Sequence, residues 1–288
     1  MLDFISIPMG FILKFIYDNL AFQNYGIAIV LFTVGVKSLL LPMTIKQVQS
    51  TSKISEIQPQ VQEIQKKYSD DKEKQGAEMI KLYKENKVDP AGGCLPLLIQ
   101  MPILFSLYYV ISQPLKYMVG KSPEIIAELY GLIPHGAGNI NNMKDLSIIT
   151  YFSSHPEQLS QVSHLLKPED LLNMSFLGIN LGDVPSWNPV NYITPGTDIH
   201  SYLLLLIPIL SGLTSYISMK YSTKNTIKAS GAEIQTAIQN NMALLSPIIS
   251  GVIAFTVPAG LGLYWIIGNI YQFLQQVFLD IFILKKSR

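Results

Sequence analysis

Residues 24–47 read NYGIAIVLFTVGVKSLLLPMTIKQ, a run apolar enough to cross a bilayer that nevertheless carries Lys37 in its interior. At ~1.5 Å rise per helical residue, Lys37 lies ~14 Å from Lys46, the first charge after it. That places it near mid-membrane. A lysine at such depth costs ~2.5–3.5 kcal/mol on insertion scales, so it persists only where it snorkels, pairs, or faces water within the protein. Its four-carbon stem covers only part of the distance, and Leu39, Leu40 and Leu41 offer no polar relief in the next turn. The run therefore predicts a wet, functional cation. Thr33 precedes Lys37 by one turn on the same helix face and extends a polar stripe.

The whole chain fits a membrane protein with sizeable aqueous segments. Its 288 residues are 49% hydrophobic and only 14% charged, with a mean hydropathy of +0.30. That balance is too apolar for an ordinary soluble domain and too mixed for a bare helix bundle. A net charge of +1 gives no electrostatic footprint for nucleic acid, and the distribution of the lysines carries the information instead. The single Cys94 excludes an internal disulfide and any CxxC metal or redox motif, and reads as a small packing residue. The first residues lack a basic start and an A-x-A-like cleavage site, and carry Asp3 and Asp18, unlike a secretory signal or a transit peptide.

Residues 1–23 set Phe4, Ile5, Phe11, Ile12, Phe15, Ile16 and Leu20 against Asp3, Ser6, Lys14, Asp18 and Asn19. This predicts an interfacial amphipathic helix, broken at Pro8 and Gly10. The first transmembrane helix is placed at 24–45, with a tolerated Pro42 near its end. From 46 to 92 the composition turns charged, and Ile54, Ile57, Val61, Ile64 and Tyr68 recur at spacings of three and four. That is a heptad-type seam. With Ser69, Asp70 and Asp71 as a turn and Asp89-Pro90 as a stop, it predicts an antiparallel helical hairpin in water, whose charges are mostly a solvated face. Gly92-Gly93 hinges into a second span at 93–112, with Gln100 and Pro102 in its first half.

Residues 113–200 hold no long alternating run and predict an extracellular loop of short interfacial helices, with Met174–Leu181 and Trp187 resting on the membrane surface. All four histidines, His135, His155, His164 and His200, fall here at spacings that match no metal motif. Third, fourth and fifth spans are expected at 201–219, 241–258 and 261–284, with a cytoplasmic loop at 220–240 and a tail at 285–288. The fourth is short for a hydrocarbon core of ~30 Å and implies local thinning or burial behind neighbours. The fifth carries Trp265, Asn269, Gln272, Gln276 and Asp280 at steps of three and four, one polar face on an apolar helix. Such a face serves equally as interhelical glue or as groove lining, and Lys37 tips the reading to a groove.

Orientation follows from the basic residues. Segments 46–92, 220–240 and 285–288 hold fifteen, whereas 1–23 and 115–200 hold five. The positive segments are cytoplasmic, which sets the N-terminus outside and the C-terminus in the cytoplasm. No phosphate loop, dinucleotide fingerprint, H-E-x-x-H or G-x-S-x-G is present, so no catalytic residue, metal or cofactor is assigned. An odd number of spans also argues against two equal inverted halves of a transporter.

Four stretches carry a family resemblance: YGIAIVLFTVGVKSLLLPMTIKQVQS, KISEIQPQVQEIQKKYSDDKEK, VDPAGGCLPLLIQMPILFSLYYVI and LLSPIISGVIAFTVPAGLGLYWIIGNIYQFLQQ. In combination and order they resemble the YidC/Oxa-type membrane protein insertases, of the short kind found in Gram-positive bacteria. The resemblance implies an all-α polytopic protein of the bacterial plasma membrane, with five transmembrane helices, a cytoplasmic helical hairpin and an N-terminal amphipathic helix. It further implies a hydrophilic groove in the inner leaflet that takes a client's polar tail or loop while the client's apolar segment slides into lipid. The family usually has arginine at the position of Lys37, so charge is kept but the planar bidentate fork is not. Thr33, Gln100, Tyr264 and Trp265 correspond to groove-lining or client-meeting positions, and Asn269 and Gln272 join them from the helical stripe alone. The expected partners are nascent membrane proteins and the lipid bilayer, with the Sec translocon and the ribosome as further candidates. The chain stops at Lys285-Lys286-Ser287-Arg288 without the long basic tail of some relatives, so ribosome contact is expected at the hairpin or the 220–240 loop. The rival readings are a solute or ion transporter that uses Lys37 as its binding charge, and a scaffold that assembles helices already inserted.

Overall fold

The computed structural model describes residues 2–86, 95–134, 143–188, 199–227, 245 and 247–281. The Asp89-Pro90 stop, the Gly92-Gly93 hinge, Cys94, His135, Lys228 and the tail at 285–288 lie outside the described residues. The fold is mostly helical: α1 (Asp3–Asn19), α2 (Tyr25–Leu39), α3 (Leu41–Lys67), α4 (Lys72–Glu85), α5 (Leu95–Ser112), a π-turn at Leu115–Val119, α6 (Pro123–Gly131), α7 (Lys144–Ser154), α8 (Pro156–Gln161), a 3-10 turn at Pro168–Asp170, α9 (Ile199–Ile227), α10 (residues 247–254) and α11 (Ala259–Leu279). Two short antiparallel strands, β1 (Ser175–Phe176) and β2 (Ile179–Asn180), complete it. They fall into two compact units. The first comprises Met1–Val36, Met101–Gly212 and Ile249–Gly268, the second Lys37–Gln100, Leu213–Ile248 and Asn269–Arg288.

In the first unit, α1 runs unbroken through Pro8 and Gly10, contrary to the break the sequence predicts. Ser6, Met9, Gly10, Leu13 and Tyr17 form its buried face, and Phe4, Ile7, Phe11 and Phe15 its exposed one. Gly10 is required by a close approach. A Cβ there would lie 2.2 Å from the carbonyl oxygen of Tyr117, so only glycine lets the helix seat against the π-turn. Asp3 reaches the same turn, accepting from the Tyr117 hydroxyl at 2.6 Å and pairing with Lys116 at 3.2 Å. These partners hold the Asp3 carboxyl below the usual carboxylate range, the tyrosine hydrogen bond first and the lysine second.

The segment expected to be a loop of interfacial pieces instead supplies much of a core. Leu129, Leu146, Ile148, Ile149, Leu166, Leu172 and Leu181 are essentially inaccessible to solvent. Helices this short bury one face each only by sharing a core. Met174, Ile179 and Leu181, expected on the membrane surface, are buried within the protein, whereas Leu177 stands 80% exposed at the hairpin tip. Leu177 and Gly178 have φ of 49° and 78°, the two left-handed positions of a primed two-residue turn. The hairpin packs on the start of α2. Phe176 occupies the space a Cβ of Gly26 would need, Tyr25 N–H donates to the Asn173 carbonyl at 3.1 Å, and Asn24 caps α2 by accepting from Ile27 N–H at 3.0 Å. Beyond it, the first turn of α11 is capped from the same segment: Ala259 and Gly260 N–H donate to the carbonyls of Asp183 and Leu181 at 2.8 and 2.9 Å. Trp187 stacks on Phe255 with ring centroids 4.1 Å apart.

In the second unit, α3 starts at Leu41 with Pro42 in its first turn, where a missing N–H costs nothing, and runs without interruption into the charged stretch. Ile57 and Val61 of α3 bury with Leu82 of α4, and Ile54, Ile64, Met79 and Tyr83 flank them. Asp71 caps α4 by accepting from Lys74 N–H at 3.0 Å. The third expected span also continues past its predicted end: α9 extends through Lys220 and Lys224 to Ile227. Of the single helices among the described residues, the stretch Ile199–Ser222 of α9 alone is long and apolar enough to cross a membrane, and α2 with the first half of α3 passes the same test as a broken pair.

Candidate functional site

The seven residues expected to form a groove divide between the units. Thr33, Tyr264 and Trp265 belong to the first, and Lys37, Gln100, Asn269 and Gln272 to the second.

In the first unit, Thr33 is fully buried and its hydroxyl donates to the Ile29 carbonyl one turn back at 2.6 Å. The side chain is thus satisfied within its own helix. Tyr264 is buried in the core and Trp265 is half-buried against it. Glycines around them permit close helix packing: a Cβ on Gly262 would lie 2.3 Å from Ile207 of α9.

In the second unit, Lys37 sits half-buried in the last turn of α2, and among the described residues its ammonium has no ion-pair or hydrogen-bond partner. Beside it in sequence, Ser38 meets the Tyr271 hydroxyl of α11 at 3.0 Å. Another face of α11 turns to α9, where Asn269 donates to the Thr214 hydroxyl at 3.3 Å and Phe273 meets Tyr221 edge-on at 5.2 Å. Gln272 is exposed, Gln276 donates to Asp280 at 3.3 Å, and Gln100 is half-buried on α5. Of the polar residues of α11, Asn269 thus bonds a neighbouring helix and Gln272 is exposed.

Three further positions were not singled out from the sequence. Ser38 and Tyr271 tie α2 to α11, and Gln275, one turn after Tyr271, keeps a buried amide nitrogen without a partner among the described residues. A helical projection of α11 would have shown a second polar pair, Tyr271 and Gln275 at i, i+4, beside the stripe that was read. His155 stacks on Tyr151 and contacts its carbonyl, and no metal-holding cluster occurs among the described residues.

The model of the 60Kd inner membrane protein family matches residues 15–286. A membrane protein insertase YidC of Clostridium perfringens is 34% identical over 263 residues, spanning 91% of this chain and 81% of that protein. Its counterpart in Oceanobacillus iheyensis is 30% identical, spanning 90% of this chain and 75% of its own length. The membrane protein insertase YidC 1 of Bacillus anthracis is 26% identical over 94% of this chain and 78% of its own. Because the match runs from the latter part of α1 to beyond the end of α11, the chain belongs to the 60Kd inner membrane protein family.

Proposed function

We infer that the protein is a membrane protein insertase of the bacterial inner membrane, which takes small or few-span proteins into the bilayer without nucleotide hydrolysis. The names of its relatives support the activity, and one observation supports the mechanism: Lys37 is a half-buried cation with no partner among the described residues. In a low-dielectric groove such a charge attracts an acidic residue of a client's translocating segment over a longer range than water would allow. Lys37, Gln100 and Gln272 take the place of part of the client's lost hydration, since an unpaired polar group in hydrocarbon costs several kcal/mol. Asn269 combines that role with its bond to Thr214, while Thr33 and Tyr264 fix their helices and Trp265 meets the client's apolar segment. Partitioning of that segment into lipid, at ~25 cal/mol per Å² of apolar area, drives release.

The arrangement has five spans, N-terminus outside and C-terminus in the cytoplasm, with α3 and α4 as a cytoplasmic hairpin. Nascent membrane proteins are the clients, and the Sec translocon and the ribosome are candidate partners at the hairpin and the 220–240 loop. Insertion of a small acidic-tailed client into liposomes holding the purified protein tests the reading. Lys37→Arg is expected to retain insertion, and Lys37→Ala and Lys37→Glu to abolish it. Native-level insertion by Lys37→Ala removes charge attraction from the mechanism, and solute uptake without a client supports a transporter instead.

A further inference from the structure

We infer that the polar cavity where β1, β2 and the start of α9 meet is a binding site for the primary ammonium of a phospholipid headgroup. The cavity measures about 380 Å³ and is lined by Ser175, Gly178, Asn180, Asp183, His200, Ser201 and Leu204. That is ample for a headgroup and lies in the size range of small-molecule sites.

Its one carboxylate is Asp183. Asn180 fixes the orientation: its amide oxygen accepts from Gly182 N–H at 3.0 Å while its amide nitrogen donates to Asp183 Oδ1 at 3.1 Å. The second carboxylate oxygen accepts no hydrogen bond, and Asp183 has no ion pair, among the described residues. Burial without a compensating cation pushes its pKa up to about 6. Asp183 is half-buried and lines the cavity together with Ser175 and Ser201, a lining complementary to a cationic donor. A primary ammonium brings three N–H groups, one for the carboxylate and two for hydroxyl or carbonyl oxygens. His200 turns Nδ1 to the Gly178 carbonyl, which orients the imidazole along the cavity wall.

Position selects the source of the ammonium. The cavity lies at the first turns of α9, whose Ile199–Ser222 stretch is long and apolar enough to span a bilayer, and Leu204 of that stretch forms its apolar wall. The exposed Leu177 and Trp187, the latter 55% accessible, stand on the same segment and suit the headgroup level. A phosphatidylethanolamine headgroup presents such a primary ammonium at that depth. The inference rests on α9 crossing the membrane and is independent of insertase activity.

Native mass spectrometry of the full chain released from detergent tests it, with phosphatidylethanolamine, phosphatidylcholine and phosphatidylglycerol of the same acyl chains supplied together. The wild type is expected to retain phosphatidylethanolamine about tenfold over the N-methylated lipid, which keeps the charge but has no N–H to donate. Asp183→Asn, which removes the charge, and Ser201→Leu, which fills the cavity, are expected to equalise the lipids while circular dichroism shows an unchanged helical fold. Soluble glycerophosphoethanolamine is expected to compete. Equal retention by the wild type, a preference that survives in either variant, or failure of the soluble headgroup to compete overturns the proposal.

Discussion

The Asp145 carboxylate accepts the backbone N–H of Lys116 at 3.0 Å, and with that bond α7 closes the π-turn on which α1 rests. Asp145 is 3% exposed, and desolvation outweighs its backbone hydrogen bonds from Lys116 and Leu115, pushing the pKa from 3.8 to about 6. A carboxyl raised in the fold binds its proton more tightly folded than unfolded. Stability from this group is therefore greatest below the unfolded value and falls as pH rises through about 6, by roughly 3 kcal/mol across the window. Amide hydrogen exchange of Leu115–Val119 between pH 4 and 7, corrected for intrinsic rates, is expected to show protection declining with pH. Asp145→Asn keeps an acceptor oxygen and flattens the slope. Asp145→Ala strands the Lys116 N–H at a cost of ~1–3 kcal/mol.

Gly10→Ala forces a methyl into the backbone of Tyr117, where nothing flexible can yield. The seating of α1 is expected to weaken by ~1–3 kcal/mol, as for other overpacked sites. Faster exchange or proteolysis of α1, with α4 unaffected, is the expected signature. Unchanged protection of α1 would contradict the close approach.

A stabilising change is expected at Gly76. It lies within α4 with open space where its Cβ would be, so Gly76→Ala gains helix propensity of about 1 kcal/mol. Slower exchange of the α4 amides checks it.

Asn269 and Gln272 lie one turn apart on α11, one bonded to a neighbouring helix and one exposed. Asn269→Ala breaks the bond to Thr214 and is expected to lower the thermal midpoint in detergent, with a coupling to Thr214→Val of ~0.6–1.7 kcal/mol in a double-mutant cycle. Gln272→Ala touches an exposed amide and is expected to leave the midpoint alone while slowing client insertion. If both variants lose stability equally, the stripe on α11 is glue throughout.

The features legible in the sequence were those with a period. Ile57, Val61 and Leu82 pack together along the seam that the three-and-four spacing predicts, and on the polar stripe of α11 Asn269 bonds Thr214 while Gln272 is exposed. What escaped was set by contacts far apart in the chain. Nothing local tells Met174 and Leu181 that they are interior, because β1 and β2 have two residues each and their turn uses Leu177, a residue that ordinarily avoids positive φ. Likewise Pro8 and Gly10 read as breakers, yet the glycine is there for the carbonyl of Tyr117, which only the folded chain brings near. Asp145 and Asp183 gave no motif either. Their significance is burial, and burial is a property of the assembled core.

The caps on α11 also dictate a timetable. The first N–H groups of any helix lack partners within it, and here Ala259 and Gly260 find theirs on Asp183 and Leu181, residues synthesised much earlier. Since translation runs from the N-terminus, the hairpin and its following turn can be in place before Ala259 exists, and α11 arrives at acceptors already set in position. Deleting that earlier segment would remove no residue of α11, yet it would leave two donors at the start of the helix unanswered, so the earlier segment acts as a mould for a helix made after it.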